Sequence, residues 1–330
     1  MPKSVLDEPR FRNETAAYAY VEAIVWPSGR SCPHCGVVDM SGALKGKSTR
    51  IGTYKCYACR KPFTVKIGTI FEKSHVPMHI WLQAMHIMCS SKKGFSANQF
   101  SRVLGVDFKT GWFIGHRIRE AMAEHSDVFG PMGGEGKTLE IDETFTGFKG
   151  DKPAYEFHNE GGWRRRGAWS DKIPVVTLVE RGGRARSIKA ENVTAAELRK
   201  IVFAHADTKS NLRTDQANAY RAIGRRFASH ESVNHSAEEW ARKLADGTKA
   251  HTNTVEGFFS IFKRGMRGIY QHCSEKHLHR YLAEFDFRYS NRIALGIDDV
   301  ERTERAIRGI IGKRLTYRTT RSGAAKAPSA

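Results

Sequence analysis

The sequence predicts an α/β fold: a sheet with flanking helices, preceded by a small cysteine-bound module and a helical segment. Three observations predict it. Two C-x-x-C pairs, Cys32-Pro-His-Cys35 and Cys56-Tyr-Ala-Cys59, stand 20 residues apart near the start. Apolar residues then recur at helical spacing across residues 78–124. From Thr138 the apolar period changes to two, and strand patterns alternate with helical ones.

Composition bounds the function. Of 330 residues, 40% are apolar and 27% charged, which excludes a disordered or collagen-like chain. Lys and Arg number 54 against 35 Asp and Glu, a formal charge of +19 with a pI near 9.8. Such a balance is the electrostatic footprint of a nucleic-acid partner. The charge is uneven: residues 1–137 and 257–330 are each net +8, while 138–256 are net +3. Basic flanks suit a grip on phosphates and leave the central carboxylates for another use. No run approaches the ~20 apolar residues that span a bilayer, and no secretory h-region follows Met1. The expectation is a soluble, cytoplasmic, nucleoid-associated bacterial protein with no membrane partner.

The cysteine pairs come first. Reduced thiols at this spacing build a tetrahedral four-thiolate zinc site from Cys32, Cys35, Cys56 and Cys59, with one structural Zn²⁺. Gly36 permits the first tight turn. Alternation in Thr53–Cys56 and Pro62–Ile67 suggests the short strands of a zinc ribbon. Two disulfides or a thioredoxin-like redox pair suit a double C-x-x-C poorly without a secretory signal. His34 lies inside the first turn and is not expected to be a ligand; Cys89 and Cys273 read as ordinary thiols.

Next comes the helical segment. Ile80, Trp81, Ala84, Ile87 and Met88 mark one helix, and Ser96 can cap a second through Leu104. Gly105 punctuates it, and Lys109–Met122 gives a third with Arg117 and Arg119. A helix-turn-helix has this layout, and plain three-helix packing explains it equally. Residues 129–137 read as a linker. Its Gly136-Lys137-Thr138 hints at a phosphate-binding loop, but Pro131 stands where a P-loop needs glycine, and a strand follows instead of a helix.

In the central part, Thr138–Phe145 alternates, with Leu139 and Ile141 on one face and Glu140 and Asp142 on the other. Ile173–Val179 and Ala185–Ala190 read as strands, Ala195–Ala204 as a helix, and Asn211–Asp215 as a strand ending in a carboxylate before a helix from Gln216. Between the first two strands, residues 161–169 set Arg164, Arg165 and Arg166 between two tryptophans. That pattern suits base stacking with phosphate contacts, or a solvated loop. A long helix begins at Thr252 with Val255, Phe258, Phe259, Phe262 and Met266 as its apolar stripe; Asn253, Glu256, Ser260 and Lys263 lie opposite. Another spans about Glu275 to Tyr289, with Arg280, Arg288 and Arg292 expected to project. The tail from Arg318 reads as small, basic and disordered.

Three acids stand out by placement: Asp142 in a strand, Asp215 at a strand end and Glu256 on a polar helix face. Each alone has an ordinary explanation as a turn, cap or solvated residue. Brought together, they make an oxygen cage for two divalent cations that activate the attacking oxygen and stabilise the leaving oxygen of a phosphodiester. Hard oxygen ligands select Mg²⁺, with Mn²⁺ able to substitute.

The ordered motifs resemble the insertion-sequence DDE transposases that carry an N-terminal zinc ribbon, the group related to eukaryotic Merlin elements. The matching stretches are the ribbon cysteines, Glu140-Ile-Asp142-Glu-Thr, Thr214-Asp215, His251-Thr-Asn-Thr-Val-Glu256 through Lys263, and His279 through Arg292. The resemblance covers about residues 15–295. It implies an RNase H-like fold, with Asp142 and Asp215 as the first two metal ligands and Glu256 as the third. Asn253, one turn earlier, is the alternative third position; charge favours Glu256, and Asn253 otherwise reads as an N-cap. Lys263, seven residues after Glu256, matches a lysine that holds DNA. Arg117, Arg119, Arg164, Arg165, Arg166, Arg264, Arg280, Arg288 and Arg292 complete the expected DNA contacts. The expected parts are a ribbon module (1–75), a helix-turn-helix-like segment (76–130), a catalytic domain (138–295) and a basic extension (296–330). The expected activity is binding of terminal inverted repeats, strand cleavage and joining of the 3′-hydroxyl to target DNA, by a homo-oligomer on double-stranded DNA. The rival readings are a DNA-binding regulator with an inactive α/β domain, and a nuclease or resolvase of related fold.

Overall fold

A five-stranded mixed sheet lies at the centre of the chain, in a computed structural model that describes residues 4–123, 130–150, 155–158, 162–165, 171–216, 218–234, 237–245 and 247–315. The N-terminal part opens with two helices absent from the sequence reading, α1 (Pro9–Arg12) and α2 (Glu14–Val25). The ribbon strands follow as an antiparallel sheet: β1 (Ser41–Ala43), β2 (Tyr54–Cys56) and β3 (Pro62–Phe63). Then come α3 (Met78–Ser90), α4 (Ala97–Leu104) and α5 (Phe108–Met122).

Local chemistry explains these limits. Ser96 and Gln99 form a reciprocal capping box at the start of α4, and Gly105 closes it at φ +66°. Asp107 caps α5 through the Thr110 N–H. The start of α3 has no local cap. The distant Glu14 carboxylate accepts from Met78 N at 2.8 Å and His79 N at 3.2 Å instead. Burial opposes ionisation of Glu14, but these N–H groups and His79 together hold its pKa below the usual carboxylate range.

The sheet is built from β5 (Thr138–Thr146), β8 (Ile173–Glu180), β9 (Ala185–Lys189), β11 (Asn211–Asp215) and β12 (Ser229–Val233), in spatial order β9-β8-β5-β11-β12. The first three are antiparallel neighbours; β11 and β12 run parallel to β5. This is the RNase H-like arrangement. One face packs Leu139, Ile141, Val176, Leu178 and Leu212 on α6 (Ala195–His205) and α7 (Asn218–Gly224). The other packs Ile173, Val175 and Val179 on α8 (Asn253–Gly265) and α9 (Leu278–Ser290). Smaller pairs are β4 (Met132–Gly133) with β10 (Ala206–Asp207), β6 (Tyr155–His158) with β7 (Gly162–Arg165), and β13 (Arg242–Lys243) with β14 (Lys249–Ala250). The stretch read as an arginine-rich loop therefore includes an antiparallel strand carrying Arg164 and Arg165. Arg166 lies outside the described residues, as does the tail from Arg318.

The residues read as a C-terminal extension do not all extend. Helix α10 (Asp299–Arg308) returns to the N-terminal helices, and Ala306, Ile307 and Ile310 are buried with Trp81, Met85 and Ile118. One helical core thus contains both ends of the described chain.

Several arginines expected to face DNA are buried or pinned. Arg119 and Arg288 flank Glu284, which has no exposure; Arg119 Nε lies 2.6 Å from Glu284 Oε2, and Arg288 pairs with Oε1. Tyr270 donates to the same Oε1 at 2.5 Å. Burial alone would raise the pKa of Glu284, but Arg288, Arg119 and Tyr270 together hold it low. Arg117 is buried and donates to the Ile70 carbonyl at 2.5 Å. Arg280 pairs with Glu120, and Arg292 donates to the Gly183 and Tyr289 carbonyls. For Arg119, Arg280 and Arg288 the cause is the packing of α9 against α5, whereas Arg117 is held by the Ile70 and Leu315 carbonyls and Arg292 by the Gly183 carbonyl beside the sheet.

Removing the carboxylate in Glu284→Ala strands two buried guanidiniums and should cost about 3–5 kcal/mol, read as a lower denaturant midpoint. The triple change Arg119→Met, Glu284→Leu, Arg288→Met removes all three charges and should recover most of that loss.

Candidate functional site

The four cysteines converge. Their sulfurs lie within 4.8 Å of one another, with Cys32–Cys59 and Cys35–Cys56 Sγ separations of 3.7 Å. Each knuckle closes with a residue in the left-handed region directly after its second cysteine, Gly36 at φ +76° and Arg60 at φ +60°. Gly36 N donates back to Cys32 O at 2.8 Å, and Cys56 N donates to Lys61 O at 3.1 Å. The backbone N–H of Cys59 is the main cause that lowers the Cys56 thiol to about 7, despite some opposing burial. Four soft sulfurs at tetrahedral reach fit Zn²⁺. Phe63, Tyr54 and Trp26 pack beside them, and the Arg30 guanidinium stacks 3.6 Å over the Tyr54 ring. His34 points elsewhere, its Nε2 3.2 Å from the Pro62 carbonyl.

A second convergence forms where the middle of β5 and the carboxyl end of β11 meet the start of α8. The parallel register ends with Arg213 beside Glu140, and Asp215 and Asp142 each follow two residues later, near enough for their charges to interact. Helix α8 crosses this end and supplies half-buried Glu256. Burial is the main cause that raises the Asp142 pKa to about 7, with Glu143, Asp215 and Glu256 adding negative charge and the Glu143 N–H opposing them. Glu143 is likewise raised to about 7, first by burial and then by Asp215, although the Tyr220 hydroxyl donates to it. Among the described residues the three acids do not draw within 4.8 Å of one another as the four cysteines do, yet Asp142 senses the charge of both others. Oxygen donors whose negative charges face one another suit a hard divalent cation.

The helix stripe falls as read from the sequence. Val255, Phe258, Phe259, Phe262 and Met266 are buried, while Asn253 and Lys263 are exposed. Asn253 is not the N-cap; Thr252 is, and Asn253 is the first helical residue. Lys263 lies 5.8 Å from the Phe259 ring centroid, and exposed Arg264 donates to Ser260 Oγ at 2.7 Å. Glu143, which the sequence reading assigns no role, is a fourth acid beside Asp142 and Asp215. Its signal was direct adjacency to Asp142. Glu140, on the same face of β5 as Asp142, is completely buried.

Comparison with known proteins follows this geometry. Residues 12–62 match the transposase zinc-ribbon domain, and residues 133–290 match the ISXO2-like transposase domain. The chain belongs to the insertion-sequence DDE transposases with an N-terminal zinc ribbon. It is 27% identical over 289 residues to an "uncharacterized protein in transposable element ISH50" of Halobacterium salinarum, covering 84% of this chain and 91% of that protein. Among the described residues no helix of this transposase is long and apolar enough to cross a membrane.

Elemental analysis should find one zinc per chain. Cys56→Ser should lose it and unfold the ribbon, because ligand binding supplies the folding free energy of such small modules. A second expectation follows from Asp142. Its folded pKa near 7 exceeds the unfolded value of about 3.9, so its stabilising protonation is fully present below pH ~4 and lost as pH rises through ~7. In metal-free protein, Asp142→Asn should therefore gain stability relative to the unsubstituted chain between pH 5 and pH 8, measured as the difference in Tm. An equal difference at both pH values would refute this.

Proposed function

We propose that Asp142, Asp215 and Glu256 hold two Mg²⁺ ions, and that this transposase cleaves the ends of its element and joins the freed 3′-hydroxyl to target DNA. The observation that carries this reading is the convergence of three carboxylates from two parallel strands and a helix, with Asp142 raised to about 7 by burial and its acidic neighbours. When bound, the ions would neutralise the phosphodiester and activate the attacking oxygen. The protein's own contribution is placement. Parallel pairing of β5 with β11 supports a close approach of Asp142 and Asp215, and the apolar stripe of α8 sets the face from which Glu256 would project. Lys263 and Arg264, exposed further along the same helix, would take DNA phosphates.

Recognition of the terminal inverted repeats is assigned to the ribbon and to the exposed end of the α4–α5 unit, where Arg102 and Lys109 are open to solvent. The remainder of α5 is core and is not available to a groove. The active form on DNA would be a homo-oligomer. Asn253 is exposed at the first helical position and carries no charge, so Glu256 remains the preferred third ligand.

Asp142→Ala, Asp215→Ala and Glu256→Ala should each reduce Mg²⁺-dependent cleavage of element ends by at least ~10²–10³-fold, with end binding near that of the unsubstituted chain. Asn253→Ala should retain most of the rate. Loss with Asn253→Ala and survival of Glu256→Ala would reverse the assignment. End binding without cutting would identify a regulator, and cutting without joining a nuclease. Affinity for the ends should fall steeply between 50 and 200 mM salt, as several phosphate contacts require.

A further inference from the structure

We propose that Glu140 is a positioning residue of the active site: a strand carboxylate that caps the first turn of α8 from a distance and thereby sets Glu256 relative to Asp142. The proposal rests on the two-metal reading above.

The first turn of a helix leaves N–H groups without intrahelical partners, usually satisfied by the side chain at the N-cap. In α8 the N-cap is Thr252, and it makes no capping bond. Its hydroxyl is hydrogen-bonded to Glu256 Oε1 at 3.0 Å instead. The exposed N–H groups are taken by Glu140, whose Oε2 accepts from Thr254 N at 2.8 Å and Val255 N at 3.0 Å. Its Oε1 accepts from Thr254 Oγ1 at 2.7 Å and Arg181 Nε at 2.6 Å, with His251 Nδ1 at 3.3 Å. Arg181 also donates to the Lys249 and His251 carbonyls, both at 2.9 Å, so the approach to the helix is held by the same pair.

Placement gives this contact its consequence. Glu140 and Asp142 are two residues apart and share a face of β5. Val255 and Glu256 are consecutive in α8. A single carboxylate thus joins the residue before Glu256 to the strand position beside Asp142. A local cap would stabilise the helix equally well, but it would leave the helix free to shift along or turn against the sheet. Displacements near 1 Å at a reacting centre cost about 10²-fold in rate.

The test uses the full-length zinc-loaded chain. Glu140→Gln keeps the shape but sets an NH₂ donor against backbone donors. Thr254→Val removes one bond to Oε1 without stranding a charge, and decides the matter if Glu140→Gln does not fold. The expected result for Glu140→Gln is a cleavage rate about 10²-fold lower, a higher Mg²⁺ concentration for half-maximal rate, and unchanged affinity for element ends. Thr254→Val should shift both quantities in the same direction by less. Without reference to activity, Mn²⁺ bound to DNA-free protein and followed by EPR should bind more weakly in both variants. A merely structural cap would lower the melting temperature but leave the Mg²⁺ midpoint and the Mn²⁺ affinity in place. Asp142→Ala run alongside separates the two ideas. If it cleaves normally, the two-metal reading falls and takes this proposal with it. If it is inactive while both other variants keep the original rate, Mg²⁺ midpoint and Mn²⁺ affinity, the positioning role alone is overturned.

Discussion

Glu284 is a carboxylate with no solvent exposure, held between Arg119 of one part of the fold and Arg288 of its own helix. The remaining architecture depends on that contact, because it fixes α9 against α5. Helix α9 in turn closes the open edge of the sheet. Asp286 accepts from Ser187 N and Oγ at 2.7 Å, and Ser290 Oγ accepts from Ala185 N at 3.1 Å. An edge strand presents unpaired backbone groups that invite pairing with another chain; here side chains of α9 satisfy them. The same helix therefore joins the N-terminal unit to the sheet-bearing part of the chain and terminates the sheet. A buried ion group is an expensive joint, since any loss of complementarity exposes a stranded charge. It also gives the joint one geometry.

A second device recurs. Both α3 and α8 begin without a local side-chain cap, and both are capped by an acid far away in sequence, Glu14 and Glu140. A capping side chain from within the helix stabilises it wherever it lies. One from elsewhere stabilises it only in position. The first of these ties α3 to α2, and the second ties α8 to the central strand.

The candidate active site combines opposed electrostatic requirements. Parallel pairing of β11 with β5 brings like charges near one another, and their half-buried setting limits the water around them. The outcome is protonation near neutrality at Asp142 and Glu143, a condition that a bound cation relieves. The stable sheet beneath keeps these acids together despite their repulsion, and the hydrophobic stripe of α8 does the same for Glu256.

The sequence by itself determined the parts that depend on neighbours along the chain. C-x-x-C spacing specified the ribbon, because two thiolates on one turn need only three bonds' worth of local geometry. Period two at Thr138–Phe145 and the stripe from Val255 to Met266 put Asp142 and Glu256 on the correct faces, since faces follow from strand and helix repeat alone. Ser96 and Gly105 delimited α4 for the same reason. Tertiary structure decided everything that required knowing what a polar residue meets. Arg119 and Arg288 sit at positions that periodicity marks as polar, yet α9 lies over α5 and converts them into buried partners of Glu284, and Arg117 is buried on the Ile70 carbonyl. Period two places Glu140 on the face opposite Leu139 and Ile141, but only the start of α8 shows what its carboxylate meets. The return of α10 to the N-terminal core is invisible in local pattern, because contacts between residues 81 and 307 leave no mark on the periodicity of either segment. Charge has no intrinsic address in a sequence; burial and partners assign it one.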